Sequence, residues 1–241
     1  MLGVSRDGDV VTIELQREER RNALNLDLVV QLRDALAQAQ RDARVVVISG
    51  RGPVFSAGAD LDGVYSTEFL DALLDMLHEI ESMPQPVIAA FNGPALGAGV
   101  QLALAADLRV LPPDSYLAIP AAKLGISVDS WTIRRLVSLI GAGPARTLLL
   151  GAEPISAADA YSFGFANRLG TVADAQSWAK SIAELAPLSL RHLKLVLNDD
   201  GTRVPSNQIE HKALEAAWNS ADAEEGRLAR KEKRAPKFQG R

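Results

Sequence analysis

Two loops of small residues are the first parts of the chain with the means to do chemistry. Gly50 to Asp60 follows the apolar run Arg44-Val-Val-Val-Ile-Ser49, and Asn92-Gly-Pro-Ala-Leu-Gly-Ala-Gly99 follows Val87-Ile-Ala-Ala-Phe91. Each offers backbone N–H groups with little side-chain bulk to block an approaching atom, which suits an oxyanion. The second loop runs directly into an Ala-rich segment, Val100 to Ala106, so the N–H groups near Gly97 and Ala98 stand at a helix N-terminus. There, unpaired donors and the helix dipole favour negative charge. A carbonyl oxygen polarised at such a site takes on enolate character. Gly-rich strand-to-helix turns also serve tight packing alone, and two in succession are the more telling signal.

The remaining chemistry-bearing residues are sparse. There are no cysteines, which excludes disulfides, thiolate metal sites and a cysteine nucleophile, and permits a reducing compartment, with the cytoplasm as the default location. His78, His192 and His211 are scattered without metal-ligand spacing, so no histidine role and no metal are expected. The spacing G-x-x-x-G-x-G in Gly93 to Gly99 departs from the dinucleotide fingerprint, and no oxidoreductase is expected.

The loops need elements to hold them. Val10 to Gln16 alternates and reads as a strand, followed by a helix over 27–40 capped by Asn25. The apolar run 44–49 is a buried strand, 67–82 an amphipathic helix ended by Pro84 and Pro86, and 87–91 a third strand. A strand-loop-helix unit thus occurs three times in about 100 residues, and an α/β core with its ligand loops at one end of the strands is expected. From about 143 onward the pattern is helical with short links, and 205–234 carries Ile209, Ala213, Ala216 and Trp218 among many charges. Such a tail fits packing on its own domain or on a sister subunit. The expected organisation is one core over 1–198 and a C-terminal helical segment over 199–241.

Composition agrees with a single large core: 241 residues, 47% hydrophobic and 5% aromatic. A net charge of -4 gives no global attraction for nucleic acid or an anionic membrane. No apolar run approaches the roughly 20 residues needed to span a bilayer, and the N-terminus lacks a signal-peptide pattern. A cytoplasmic protein with neither nucleic-acid binding nor membrane insertion is expected.

Four segments carry a specific resemblance. Arg20-Arg-Asn-Ala-Leu24, Phe55-Ser-Ala-Gly-Ala-Asp-Leu61, Pro86 to Gly99 and Ile155-Ser-Ala-Ala-Asp-Ala160 occur in the order and spacing of the enoyl-CoA hydratase/isomerase (crotonase) family, which the chain resembles over nearly its whole length. The resemblance implies an α/β fold of the crotonase type, a spiral of repeated ββα units with a C-terminal helical oligomerisation segment, assembled as trimers or hexamers. It implies an oxyanion hole on the backbone N–H groups of Ala57 and Ala98. It also implies a substrate-binding lining of Arg20, Arg21, Ala23, Ala57, Gly58, Ala59, Asp60, Leu61, Gly97, Ala98 and Trp131, with no cofactor beyond the coenzyme A of the ligand itself.

The chain departs from the hydratase pattern at both acid-base positions. Gln101 stands three residues after the second oxyanion donor, where the hydratases carry one glutamate. Ala121, after the proline of Leu117-Ala-Ile-Pro-Ala-Ala-Lys-Leu-Gly125, stands at the other. A primary amide moves no proton at neutral pH. Asp129, in a segment that by resemblance lines the acyl site, is the nearest substitute as base or nucleophile; alternatively, it or Ser130 caps a helix over 131–140. Trp131 either lines the acyl cavity or is a core aromatic. In the basic tail, Lys237 or Phe238 either approaches coenzyme A or belongs to a solvated terminus. The expected function is binding or carrying of fatty acyl-CoA thioesters without catalysis. The alternative is an active isomerase or weak hydratase using Asp129. The similarity to acid-depleted mycobacterial hydratase homologues implies long-chain lipid or mycolic-acid metabolism, with an enzyme of that metabolism as a partner.

Overall fold

The computed structural model describes residues 1–60 and 66–240. The chain enters as a hairpin: Leu2–Asp7 (β1) pairs antiparallel with Val10–Leu15 (β2), Leu2 opposite Leu15 and Asp7 opposite Val10, and turns at Gly8 with φ 61. Leu26–Asp42 (α1) follows, and the Asn25 side chain accepts from the Leu28 N–H as the expected cap. Its buried stripe is Leu28, Val29, Leu32, Leu36 and Ala39, the spacing of a single helix face.

Val45–Gly50 (β3) is buried along its whole length and pairs parallel with β2. A strand covered on both faces reads as a continuous apolar run, and each fully buried valine or isoleucine contributes about 2 kcal/mol. Thr67–Ser82 (α2), capped by Ser66, leads to Val87–Ala90 (β4), then Ala95–Leu96 (β5), Ala98–Ala105 (α3), Leu108–Leu111 (β6) and Tyr116–Ala118 (β7). Helix α3 starts two residues before the expected Val100, which makes Ala98 its first residue.

Ser130–Ile140 (α4), Ala142–Leu149 (α5), Ile155–Ser156 (β8), Ala157–Ser162 (α6), Arg168–Leu169 (β9), Val172–Ala183 (α7), Pro187–Asn198 (α8), Gln208–Trp218 (α9) and Ala221–Lys231 (α10) complete the order. The stretch after 143 is therefore not purely helical. The six-stranded sheet runs β1-β2-β3-β4-β6-β9, parallel from β2 onward, and β5-β7-β8 form a second, three-stranded sheet. One face of the large sheet, Val10, Val45, Val47, Ile88, Ala90 and Val110, packs against Ala175, Ala179, Ile182 and Ala183 of α7.

The chain divides into two compact units, 1–117 with 155–199, and 118–154 with 200–241. In the first, α8 inverts the usual pattern. Its one buried residue is Lys194, whose ammonium lies 2.8 Å from Asp107 and donates to the carbonyls of Ile80 and Gln85. Leu188, Leu195 and Leu197 on the same helix are exposed. In the second unit, α10 lies backbone to backbone on the turn over 121–125. A Cβ on Gly125 would come within 2.3 Å of the Asp222 carbonyl oxygen, and one on Gly226 within 2.1 Å of the Leu124 oxygen. The indole N–H of Trp218 donates to Ser127 O, and Arg135 pairs with Asp200 at 2.6 Å. Among the described residues, no helix is long and apolar enough to cross a membrane.

Candidate functional site

The first unit joins the two small-residue loops edge to edge. Phe55 N–H donates to Pro94 O, Leu96 N–H to Ser56 O, and Ser56 and Ala95 form a parallel bridge. The contact is close because Gly99 has no side chain: a Cβ there would meet Ser56 Cβ and O at 2.7 Å. Phe55 also stacks on Phe91 at 4.5 Å between ring centroids, which ties the loop to the end of β4.

Two asparagines, Asn22 buried and Asn92 half-buried, shape the first loop from both sides. Asn22 accepts from the Arg17 N–H and donates to the carbonyls of Arg51 and Val54. Asn92 accepts from the Gly50 N–H and donates to the carbonyls of Gly52 and Val54. The loop backbone, which has no partner strand at this point, has its carbonyls satisfied by side-chain amides. The Ser56 hydroxyl donates to Asn22 O and accepts from the Gly58 N–H.

These bonds decide which N–H groups remain for a ligand. The Ala57 N–H, the donor that the resemblance implied, is spent: it donates to Arg21 O at 2.9 Å. Two residues on, Ala59 sits in a parallel bridge with Leu24 in which Leu24 N–H donates to Gly58 O and Asp60 N–H to Leu24 O. By strand alternation the Ala59 N–H points away from Leu24, and no partner for it is present among the described residues. Of the two, the Ala59 N–H, and not the Ala57 N–H that the resemblance implied, is the one left available to a ligand. The Ala98 N–H, as the first of a helix, has no intrahelical partner, and no other is present for it among the described residues. Gly97, at φ 49 and ψ -117, turns the chain into α3 through a conformation closed to other residues.

The two unpartnered donors belong to touching segments. A Cβ on Gly58, which has φ 93, would lie 2.8 Å from Leu96 O and 3.4 Å from the Ala98 nitrogen. Gln101 is buried on the first turn of α3, its N–H on Gly97 O. At the far end of that helix the fully buried Arg109 guanidinium donates to the carbonyls of Ala103, Ala106 and Asp107, and to Phe165 O. A cation at the C-terminus complements the dipole whose positive end lies at Ala98.

Of the other expected lining residues, Arg20 and Arg21 are exposed, on and just after the turn Glu18–Arg20, and Ala23 supplies a carbonyl to the Arg17 guanidinium. Asp60 is paired with Arg17 at 2.9 Å. Leu61 lies outside the described residues. Arg17, Ser56 and the two asparagines were not expected as site residues, although Asn22, Ser56 and Asn92 stand inside the quoted motifs.

In the second unit, Ala121 opens a 3-10 turn, Ala121–Leu124, and Trp131 is half-buried on the first turn of α4. Asp129 is the N-cap of α4: one oxygen accepts the Thr132 N–H at 2.9 Å and the other its hydroxyl at 2.6 Å. In the tail, Lys237 N–H donates to Glu225, whose carboxyl is pulled down to about 2 by its hydrogen bonds to the Arg234 guanidinium and that N–H. Among the described residues, no cluster of three His, Asp or Glu side chains is placed to hold a metal.

The sequence profile of the family described as Enoyl-CoA hydratase/isomerase matches residues 5–241. The chain is 49% identical over 247 residues to a protein named "Probable enoyl-CoA hydratase echA6" of Mycobacterium leprae, and 48% identical over 242 residues to the one of the same name from Mycobacterium tuberculosis. All of this chain and all of each relative are covered. Among solved structures it is similar to methylmalonyl-CoA decarboxylase, with a TM-score of 0.92 and 26% identity over 100% of this chain and 98% of the other.

Proposed function

Because the chain belongs to the enoyl-CoA hydratase/isomerase family, we propose that it binds fatty acyl-CoA thioesters with the carbonyl oxygen between the N–H groups of Ala59 and Ala98, without hydrating them. One observation carries this reading: two unpartnered N–H groups on touching loops, followed on the first helical turn by Gln101 and not by an acid. Hydration needs water deprotonated as it attacks and a proton delivered to the neighbouring carbon, work worth about 10²–10⁴-fold. By resemblance Gln101 and Ala121 occupy the positions that do it, and neither side chain transfers a proton. The N–H donors retain their value for the ground-state thioester, so binding survives where turnover does not.

The alternative of an isomerase or weak hydratase using Asp129 is disfavoured, since both oxygens of that carboxylate are occupied in capping α4. A different second reading has a specific support, the likeness to methylmalonyl-CoA decarboxylase. Loss of CO₂ from a carboxylated acyl thioester leaves the bonding electrons as an enolate, stabilised by the same two donors, and water then protonates the carbon. No enzyme base is required.

Titration with saturated acyl-CoA should raise the melting temperature, as any ligand selective for the native state does, while the absorbance of a conjugated enoyl-CoA persists. Rapid loss of that absorbance in the wild type sinks the binding reading. Release of CO₂ from methylmalonyl-CoA would establish the second. Gln101→Glu with Ala121→Glu should confer measurable hydration. A place in lipid metabolism rests on the family resemblance, and the exposed leucines of α8 support a homo-oligomer; both belong to this proposal.

A further inference from the structure

Arg17 is buried to 7% exposure, yet its Nε has no hydrogen-bond partner among the described residues. A guanidinium placed for stability alone would have all its donors satisfied, because a buried unsatisfied donor is costly and a buried ion pair by itself adds little. What the group does is geometric. Its Nη1 donates to Ala23 O at 2.6 Å and its Nη2 to Asp60 Oδ2 at 2.9 Å. Ala23 immediately precedes Leu24, and Asp60 immediately follows Ala59, so one rigid planar fork spans the Leu24 to Ala59 bridge from strand to strand. The base of the arginine is fixed as well. Its N–H donates to Asn22 Oδ1, and its carbonyl accepts from Arg20 N–H and Asn22 N–H.

We propose that Arg17 is a positioning residue: through Asp60 and Ala23 it sets the direction of the Ala59 N–H, and so the polarisation of a bound thioester carbonyl. The inference rests on the assignment of Ala59 and Ala98 as oxyanion donors. A short bridge with one hydrogen bond on either side of Ala59 leaves the peptide plane free to tilt; the fork removes that freedom. The ion pair is nearly enclosed, with side-chain exposures of 9% and 12%, so it acts with little solvent screening.

The test measures the red shift of a conjugated dienoyl-CoA thioester on binding, a direct report of carbonyl polarisation, together with its affinity. An alkyl-CoA thioether of the same chain length, which lacks the carbonyl, serves as the comparison. Arg17→Lys keeps the charge and loses the fork, and Asp60→Asn keeps the shape and loses the charge, so the second variant carries the test if the first does not fold. Ala98→Pro removes the other donor at a first helical position, where proline is tolerated.

Ala98→Pro is expected to abolish the red shift. Arg17→Lys and Asp60→Asn are expected to diminish it and to weaken the thioester by about three- to tenfold, the range of one neutral hydrogen bond, with the thioether unchanged. If Ala98→Pro abolishes the shift while both other variants keep it in full, or lose thioester and thioether equally, Arg17 has a structural role only and the inference fails alone. If Ala98→Pro leaves the shift intact, the donor assignment fails and takes the inference with it.

Discussion

Replacing Gly58 with alanine adds one methyl group at a close contact between the two loops, beside the Ala98 nitrogen. The cost has two parts. At φ 93 an alanine is strained by about 1–3 kcal/mol. The new Cβ also falls 2.8 Å from the Leu96 carbonyl oxygen, which as backbone of β5 has no rotamer by which to yield. Together these give a loss of about 2–4 kcal/mol, or roughly 5–15 °C in melting temperature for a chain of this size. The site should suffer as well, because the methyl lies 3.4 Å from the Ala98 nitrogen, so that relief of the clash moves a donor. Gly143→Ala is the internal control: apart from its chain neighbours nothing lies within 4 Å of its Cβ, and since it precedes Pro144 in α5 the change should gain nothing and move stability by no more than about 1 kcal/mol. Thermal unfolding of both proteins, with and without a saturated acyl-CoA, makes the comparison. A Gly58→Ala protein melting within about 1 °C of wild type would refute the claim that the loops touch through this glycine.

Three further outcomes are expected. Lys194→Met should lower stability in urea by about 3–5 kcal/mol, because it strips the partner from a largely buried Asp107 carboxylate; a loss under about 1 kcal/mol would contradict the buried pairing. Asn22→Ala removes the acceptor for Arg17 N–H and the donors for two loop carbonyls, at a backbone φ of 53 that asparagine tolerates better than alanine, and calorimetry should register a loss of about 3 kcal/mol. Burial raises the Asp200 carboxyl, but hydrogen bonds from Thr202 and Arg135 outweigh it and hold the group below the usual carboxylate range. A carboxyl whose folded pKa is depressed stabilises above its unfolded pKa and loses that contribution as pH falls through the folded value. The stability gap between wild type and Asp200→Asn should therefore be widest near neutral pH and close in strong acid; a constant gap would rule out the ion pair as its source.

The large elements were legible because their periodicity is long. Helix α2 and the cap of α1 stand where the pattern put them, and β3 announced itself as a run of apolar residues. Strand β1 was not legible: Gly3, Ser5 and Arg6 give an edge strand with no apolar alternation. Strands β8 and β9 have two residues each, too few to show any period. The unpaired N–H at Ala98 followed from chain-local facts, a glycine turn and a helix start. Which of Ala57 and Ala59 leaves its N–H unbonded was not legible, since that is set by the register against Arg21 and Leu24, about 35 residues earlier in the chain. For the same reason Arg17 looked like one more charge in a charged turn. Asp129 showed both of its readings in the sequence, and only the positions of the Thr132 N–H and hydroxyl separated them.

The second unit is assembled from two stretches that leave the ribosome separately, 118–154 first and 200–241 only after the whole of 155–199. The final helix is complete only at residue 231, and at about 5–20 residues per second the wait from residue 154 lasts roughly four to fifteen seconds. Throughout it the turn bearing Gly125 waits without the helix whose backbone it will meet, and Arg135 without Asp200. Chaperone capture of the nascent chain should therefore be concentrated in this interval and end when the final helix emerges.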